Sequence, residues 1–79
     1  MSNHEKLIRI FAETLQIDPA QVTDDLKYNA IAEWDSVGHM SLVAALEETF
    51  GILLDTDDII DLSSVGQARA ILAKYDVNF

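Results

Sequence analysis

The sequence predicts an all-α fold: a four-helix bundle of three main helices and one short helix, with a long first loop. Three observations lead there. Apolar residues recur at helical spacing along most of the chain. Helix start and stop signals stand at Ser2 with Glu5, Asp18 with Pro19, Asp35-Ser36, Gly51, and Ser64 with Gln67. No run of residues alternates apolar and polar in the manner of a strand.

The first helix is expected from about Asn3 to Leu15. Ser2 can cap it, with Glu5 three residues on completing a capping box. Leu7, Ile8, Phe11 and Leu15 then form one apolar stripe. Asp18-Pro19 reads as a cap followed by proline in a first turn. One short turn is expected there, then an irregular loop from Thr23 to Asp35. The second helix begins at Asp35 or Ser36, both good N-caps, and ends at Phe50 before Gly51. Its candidate core positions are Val37, Met40, Val43, Ala44, Leu46 and Phe50. A short third helix, Thr56 to Asp61, presents Ile59, Ile60 and Leu62, with Asp55 or Thr56 as cap. Ser64-Val65-Gly66-Gln67 reads as a capping box opening a last helix to about Tyr75. Val65, Ala68, Ile71, Leu72 and Tyr75 should face inward.

A chain of 79 residues, 49% of them hydrophobic, holds one small core and reads as a single domain over 1–79. There is no cysteine, hence no disulfide framework and no thiolate metal site. The N-terminus lacks the basic region and apolar run of a signal peptide, and no stretch reaches the ~20 apolar residues of a membrane span. A soluble, cytoplasmic monomer is the expectation. The net charge of -9 argues against nucleic-acid binding, because an acidic chain repels phosphate backbones. The charge is also uneven. No Lys or Arg lies between Tyr28 and Ala68, a stretch holding Glu33, Asp35, Glu47, Glu48, Asp55, Asp57, Asp58 and Asp61. That stretch is either a solvated surface or a docking face for basic patches on other proteins.

Two metal-site readings and one catalytic reading fail. Asp55-Thr56-Asp57-Asp58 resembles the start of a calcium loop, but Ile59 and Ile60 stand where a ligand and a glycine are needed. His4 and His39 are too isolated to define a zinc site. Asp35, Ser36 and His39 suggest a hydrolytic triad, with Ser36 and His39 on one helix face. The Gly-x-Ser-x-Gly elbow is absent, however, and so small a bundle has little room for a pocket. On periodicity alone Ser36 is a plain cap.

The run Trp34-Asp35-Ser36-Val37-Gly38-His39-Met40, continuing through Leu42-Val43-Ala44-Ala45-Leu46-Glu47-Glu48-Thr49-Phe50-Gly51-Ile52, resembles the acyl carrier protein family. That family shows Asp-Ser-aliphatic before an apolar helix ending Leu-Glu-Glu-x-Phe-Gly, and the resemblance spans essentially the whole chain. It implies a four-helix fold and a covalent 4'-phosphopantetheine on Ser36, with Asp35 and Val37 helping a phosphopantetheinyl transferase recognise the site. The chain would then have no catalytic activity of its own. It would carry acyl cargo as a thioester to acyl-loading, acyl-transfer or condensing enzymes with basic docking patches. Glu47, Glu48, Asp57 and Asp58 are the expected docking residues. The other readings are an aminoacyl or peptidyl carrier, and an unmodified acidic helical adaptor.

A serine at a helix start suits such an arm on physical grounds. Its phosphodiester would sit beside unpaired backbone N–H groups at the positive helix end. The chain departs from the fatty-acid carriers in Glu33 and Trp34 before Asp-Ser, in Gly38 and Ser41 where acids are usual, and in Ala44. These departures point to a dedicated stand-alone carrier serving its own pathway. Trp34 is expected to cover the core, with a partner contact as the other reading. His39 is expected as an exposed helix residue, with a contact to the arm's phosphate as the other reading. Met40, Leu46 and Phe50 are expected in the core.

Overall fold

A computed structural model describes all 79 residues. It contains four α-helices and no strand: α1 (Asn3–Leu15), α2 (Ser36–Phe50), α3 (Thr56–Asp61) and α4 (Val65–Ala73), with a 3-10 turn at Pro19–Gln21. The local signals act where they stand. Ser2 Oγ accepts from the Glu5 N–H at 3.1 Å and the Glu5 carboxylate accepts from the Ser2 N–H, closing the capping box of α1. Asp18 caps the 3-10 turn by accepting from the Ala20 N–H at 2.9 Å. Gly51 ends α2 with a φ of 65°, a left-handed conformation that favours glycine. Ser64 Oγ accepts from the Gln67 N–H at 3.0 Å, although the reciprocal half of that box is not formed.

All 17 buried apolar residues belong to one cluster. Leu7, Ile10, Phe11, Ala12 and Leu15 bring α1 to it, while Ile8 is only partly buried. Leu42, Val43 and Leu46 bring α2, packed against α1. Val65, Ala68, Ile71 and Leu72 bring α4. Trp34, from the loop before α2, is 0% exposed and stands edge-on to Phe11 at 5.3 Å between ring centroids. It is therefore core itself, and burial of so large a ring contributes roughly 4 kcal/mol.

Several expected positions differ. Val37, Met40 and Ala44 face solvent, and Phe50 is partly buried. The reason is the composition of α2, which is apolar on more than one side. Its i, i+1, i+4 row at Leu42, Val43 and Leu46 meets α1, leaving the row through Val37, Met40 and Ala44 outside. On α3, Leu62 is buried and Ile59 half-buried, but Ile60 projects outward. Asp55 occupies the N-cap position of α3 without a side-chain cap bond. The last helix ends at Ala73, two residues early, and Tyr75 sits in the following turn, half-buried.

The long loop is irregular in outline but held at many points. Val65 N–H donates to Leu26 O, Tyr28 N–H to Ser63 O, and Gly66 N–H to Asp24 O. Lys27 and Ser64 form an isolated antiparallel bridge. The loop thus lies along the start of α4 before turning back to deliver Trp34 and Asp35 to α2.

Candidate functional site

The site begins with the capping of α2. Asp35 Oδ1 accepts from the Gly38 N–H at 2.8 Å, and the Asp35 carbonyl accepts from the His39 N–H at 2.8 Å. That fixes Ser36 as the first helical residue, with its side chain exposed. As at every helix start, the first amides have no partner in the ladder. Here those are the N–H groups of Ser36 and Val37, Gly38 being satisfied by Asp35. Ser36 therefore offers a solvent-facing hydroxyl beside unpaired donors at the positive end of a 15-residue helix.

Gly38 makes this geometry possible. A Cβ at that position would collide with the Glu33 carbonyl oxygen and crowd Leu15 Cδ2 at 3.1 Å. The loop can cross the first turn of α2 this closely only over a residue without a side chain. The sequence marked Gly38 as a departure; its steric role needed the loop's path.

No hydrolytic triad forms. Asp35 is committed to the helix cap, and both ring nitrogens of His39 are engaged elsewhere. His39 Nδ1 accepts from Trp34 Nε1–H at 3.0 Å, and His39 Nε2 lies 2.9 Å from Ile59 O on α3. His39 is thus neither a plain exposed residue nor available to a phosphate. It is half-buried and bridges the loop, α2 and α3. No group of three or more metal-ligating side chains is gathered anywhere in the structure.

The four acids expected to dock partners divide into two kinds. Glu48 and Asp57 are exposed. Glu47 is half-buried, and its Oε2 accepts from the Leu54 N–H at 2.9 Å, fastening the segment after α2 back onto the helix. Asp58 departs furthest from expectation. It is 6% exposed, and its carboxylate accepts from Lys74 Nζ and, at 2.6 Å, from Tyr75 Oη. The Lys74 bond, then the Tyr75 bond, holds the Asp58 carboxyl below its usual range. Its oxygens serve the α3–α4 joint and do not face solvent. On α2, Val37 and Met40 were expected in the core and prove exposed, at 75% and 54%, and Ile60 on α3 is exposed at 72%. Helical spacing did not separate them, since Val37, Met40 and Ala44 form one helical row and the buried Leu42, Val43 and Leu46 form another.

The arrangement is an exposed serine at a helix start, capped by aspartate and followed by an exposed aliphatic residue. Comparison with known proteins gives this arrangement its family. A family model described as a phosphopantetheine attachment site matches residues 5–72. An acyl carrier protein of Lactobacillus johnsonii is 35% identical over 63 residues, covering 80% of this chain and 79% of the relative. An acyl carrier protein of Solidesulfovibrio magneticus is 31% identical over 74 residues, covering 94% of this chain and 95% of the relative. The solution structure of the holo acyl carrier protein of Geobacter metallireducens superposes with a TM-score of 0.79 at 28% identity, over 94% of this chain and 85% of that one. The chain belongs to the acyl carrier protein family, whose members carry cargo on a covalent 4'-phosphopantetheine and do not catalyse reactions themselves. No helix is long and apolar enough to cross a membrane.

Proposed function

We propose that Ser36 is the attachment point of the 4'-phosphopantetheine arm, and that the chain is one carrier domain presenting acyl cargo to the enzymes of a dedicated pathway. The observation that supports this is the exposed Ser36 hydroxyl at the first position of α2, between the capping Asp35 and the exposed Val37. The residues fit the group. The Ser36 oxygen would hold its phosphodiester, and the amides of Ser36 and Val37 lie beside that oxygen. The arm's terminal thiol supplies the thioester chemistry, which the cysteine-free chain itself lacks. Asp35 keeps the helix start rigid, and Val37 gives a phosphopantetheinyl transferase an apolar handle next to the nucleophile. The remainder of the chain acts as a tether, raising the concentration of cargo at each partner.

Docking in this reading uses Val37, Met40 and Ile60 as apolar contacts and Glu48 and Asp57 as steering charges. Asp58 contributes field rather than contact, since both its oxygens are bonded internally, and Glu47 has one oxygen so engaged. Partners are acyl-loading, acyl-transfer or condensing enzymes with basic patches, met in the cytoplasm by a monomer that its net charge of -9 keeps apart from its own copies.

The test is intact mass after incubation with a phosphopantetheinyl transferase and coenzyme A. The parent should gain one phosphopantetheine. Ser36→Ala should gain none while folding normally, because an exposed first-turn substitution changes stability by only about 0.5 kcal/mol. Modification persisting in Ser36→Ala would move the site elsewhere, and no gain by the parent would remove the carrier reading.

A further inference from the structure

The joint between α2 and α3 has a single polar link through a titratable ring. Trp34 is wholly buried, and its indole N–H can only donate. It points at His39 Nδ1 from 3.0 Å, so that nitrogen must carry a lone pair. The ring proton then resides on Nε2, which faces the Ile59 carbonyl, an acceptor only, at 2.9 Å. One neutral tautomer satisfies all three groups, and no other protonation state does. In the imidazolium, Nδ1–H and Nε1–H would face each other, donor against donor. The indole is locked by Phe11 and Tyr28, edge-on at 5.3 Å and 6.3 Å, and cannot turn to water. His39 is also the fourth residue of α2, where the positive helix end opposes a cation.

The groups around the ring do not compensate a charge there. From the loop, Tyr28 stands edge-on at 5.2 Å and is neutral. From α2, the Asp35 carboxylate is turned to the Gly38 N–H. From α3, Asp58 beside Ile59 is turned to Lys74 and Tyr75. No carboxylate hydrogen-bonds the imidazole. On its far side α3 is held by Asp58, whose pairing persists in mild acid because its carboxyl titrates below the usual range. The attachment through His39 is thus separate from the one through Asp58.

From this geometry we infer that His39 is a positioning residue holding α3 against the start of α2, and that it works only as the neutral imidazole, so mild acid releases α3 at that edge. Release loosens the groove of about 250 Å³ lined by Tyr28, His39, Ile59, Ile60, Leu62 and Ser63, three residues along α2 from Ser36. The inference does not depend on whether Ser36 carries an arm, and the unmodified full chain tests it.

The experiment follows the Trp34 indole N–H resonance and the hydrogen-exchange protection of the α3 amides from about pH 8 to about pH 5, the range in which an imidazole changes charge. In the parent, the indole resonance should move in one step together with the His39 ring, and α3 protection factors should fall tenfold or more. His39→Gln should abolish the step, which also separates it from titration of His4. Trp34→Phe removes the opposing donor and should leave His39 titrating without loss of α3 protection. An unmoved indole resonance with constant α3 protection in the parent overturns the inference. So does an undiminished acid step in His39→Gln. If that variant does not fold, the parent and Trp34→Phe decide by the same readouts.

Discussion

Single residues at the start of α2 carry more constraint than their types suggest. Gly38 is the clearest case. In a helix interior, alanine exceeds glycine in propensity by ~1 kcal/mol, so Gly38→Ala on an unobstructed helix would stabilise. Here the added Cβ strikes a backbone carbonyl of Glu33, which cannot rotate away like a flexible side chain. The collision should outweigh propensity, with a net loss of about 1–3 kcal/mol on chemical denaturation. A gain in stability from Gly38→Ala would show that the loop yields easily and does not fix the Ser36 turn. Local chemistry of this kind divides what the sequence could disclose. Ser2, Asp18, Asp35 and Ser64 were legible because an N-cap acts on amides two or three residues away, and Gly51 because glycine suits the left-handed residue that ends a helix. Gly38 and His39 were not, since their partners, Glu33 O and Ile59 O, are set by the path of the loop and the placement of α3.

Among the elements, α3 is the least self-sufficient. Six residues are too few for a stable isolated helix, and Asp55 supplies no side-chain cap. Its order comes from outside: Glu47 on Leu54 N–H, Tyr75 Oη accepting from Asp55 N–H at 3.1 Å, His39 on Ile59 O, and the Asp58–Lys74–Tyr75 cluster. The cluster has a readable pH signature. The Asp58 carboxyl is lowered, chiefly by the Lys74 bond, so its stabilisation is complete above the unfolded carboxylate value of about 4 and disappears as pH falls through the lower folded value. The Lys74 ammonium and the Tyr75 phenol are raised, each chiefly by the Asp58 bond. Their contribution is complete below their unfolded values near pH 10 and is lost as pH rises through the folded ones. Asp58→Asn should therefore lower the melting temperature on the plateau between these limits and flatten both limbs of the stability profile. A variant profile parallel to the parent at all pH would show the cluster to be solvated surface. The outline of α3 was readable from Thr56 to Asp61, but the burial of Asp58 was not. It depends on Lys74 and Tyr75, sixteen and seventeen positions away, and in the sequence Asp58 is one acid in a row of three within four residues. The outward row of α2 was hidden for a related reason. When both sides of a helix are apolar, periodicity cannot say which one finds a neighbour.

Over the whole molecule, charge and apolar exposure are arranged together. The stretch without Lys or Arg from Tyr28 to Ala68 includes α2 and α3, so the exposed Val37, Met40 and Ile60 lie within an acidic region. Such a surface combines long-range steering by charge with short-range adhesion by apolar contact. Glu48→Lys with Asp57→Lys exchanges attraction for repulsion at two exposed sites that form no internal bond. Transfer from a cognate loading enzyme should slow about tenfold at low ionic strength, each exposed charge being worth up to ~1 kcal/mol. The defect should shrink at ~0.1 M salt, where the Debye length is ~10 Å. Unaltered low-salt kinetics in the double variant would leave the apolar residues as the whole docking surface. The bundle topology was legible as soon as the caps were placed, because short connections after α2 leave few ways to bury three amphipathic helices. The attachment of the long loop to α4 at Leu26, Tyr28 and Asp24 was not, since backbone hydrogen bonds in an irregular segment leave no residue pattern.

Trp34 is the sole tryptophan of the chain and sits two positions before Ser36. Its ring stands edge-on to Phe11 of α1 and Tyr28 of the loop, lies nearly parallel to the His39 ring at 16° between planes, and leaves none of its surface in water. The protein thereby contains its own optical probe where α1, the long loop and the start of α2 meet. Emission excited at the indole band reports on that junction with no attached dye. The opening of α3 proposed above should change that emission, which a stopped-flow pH jump reads on the unaltered molecule.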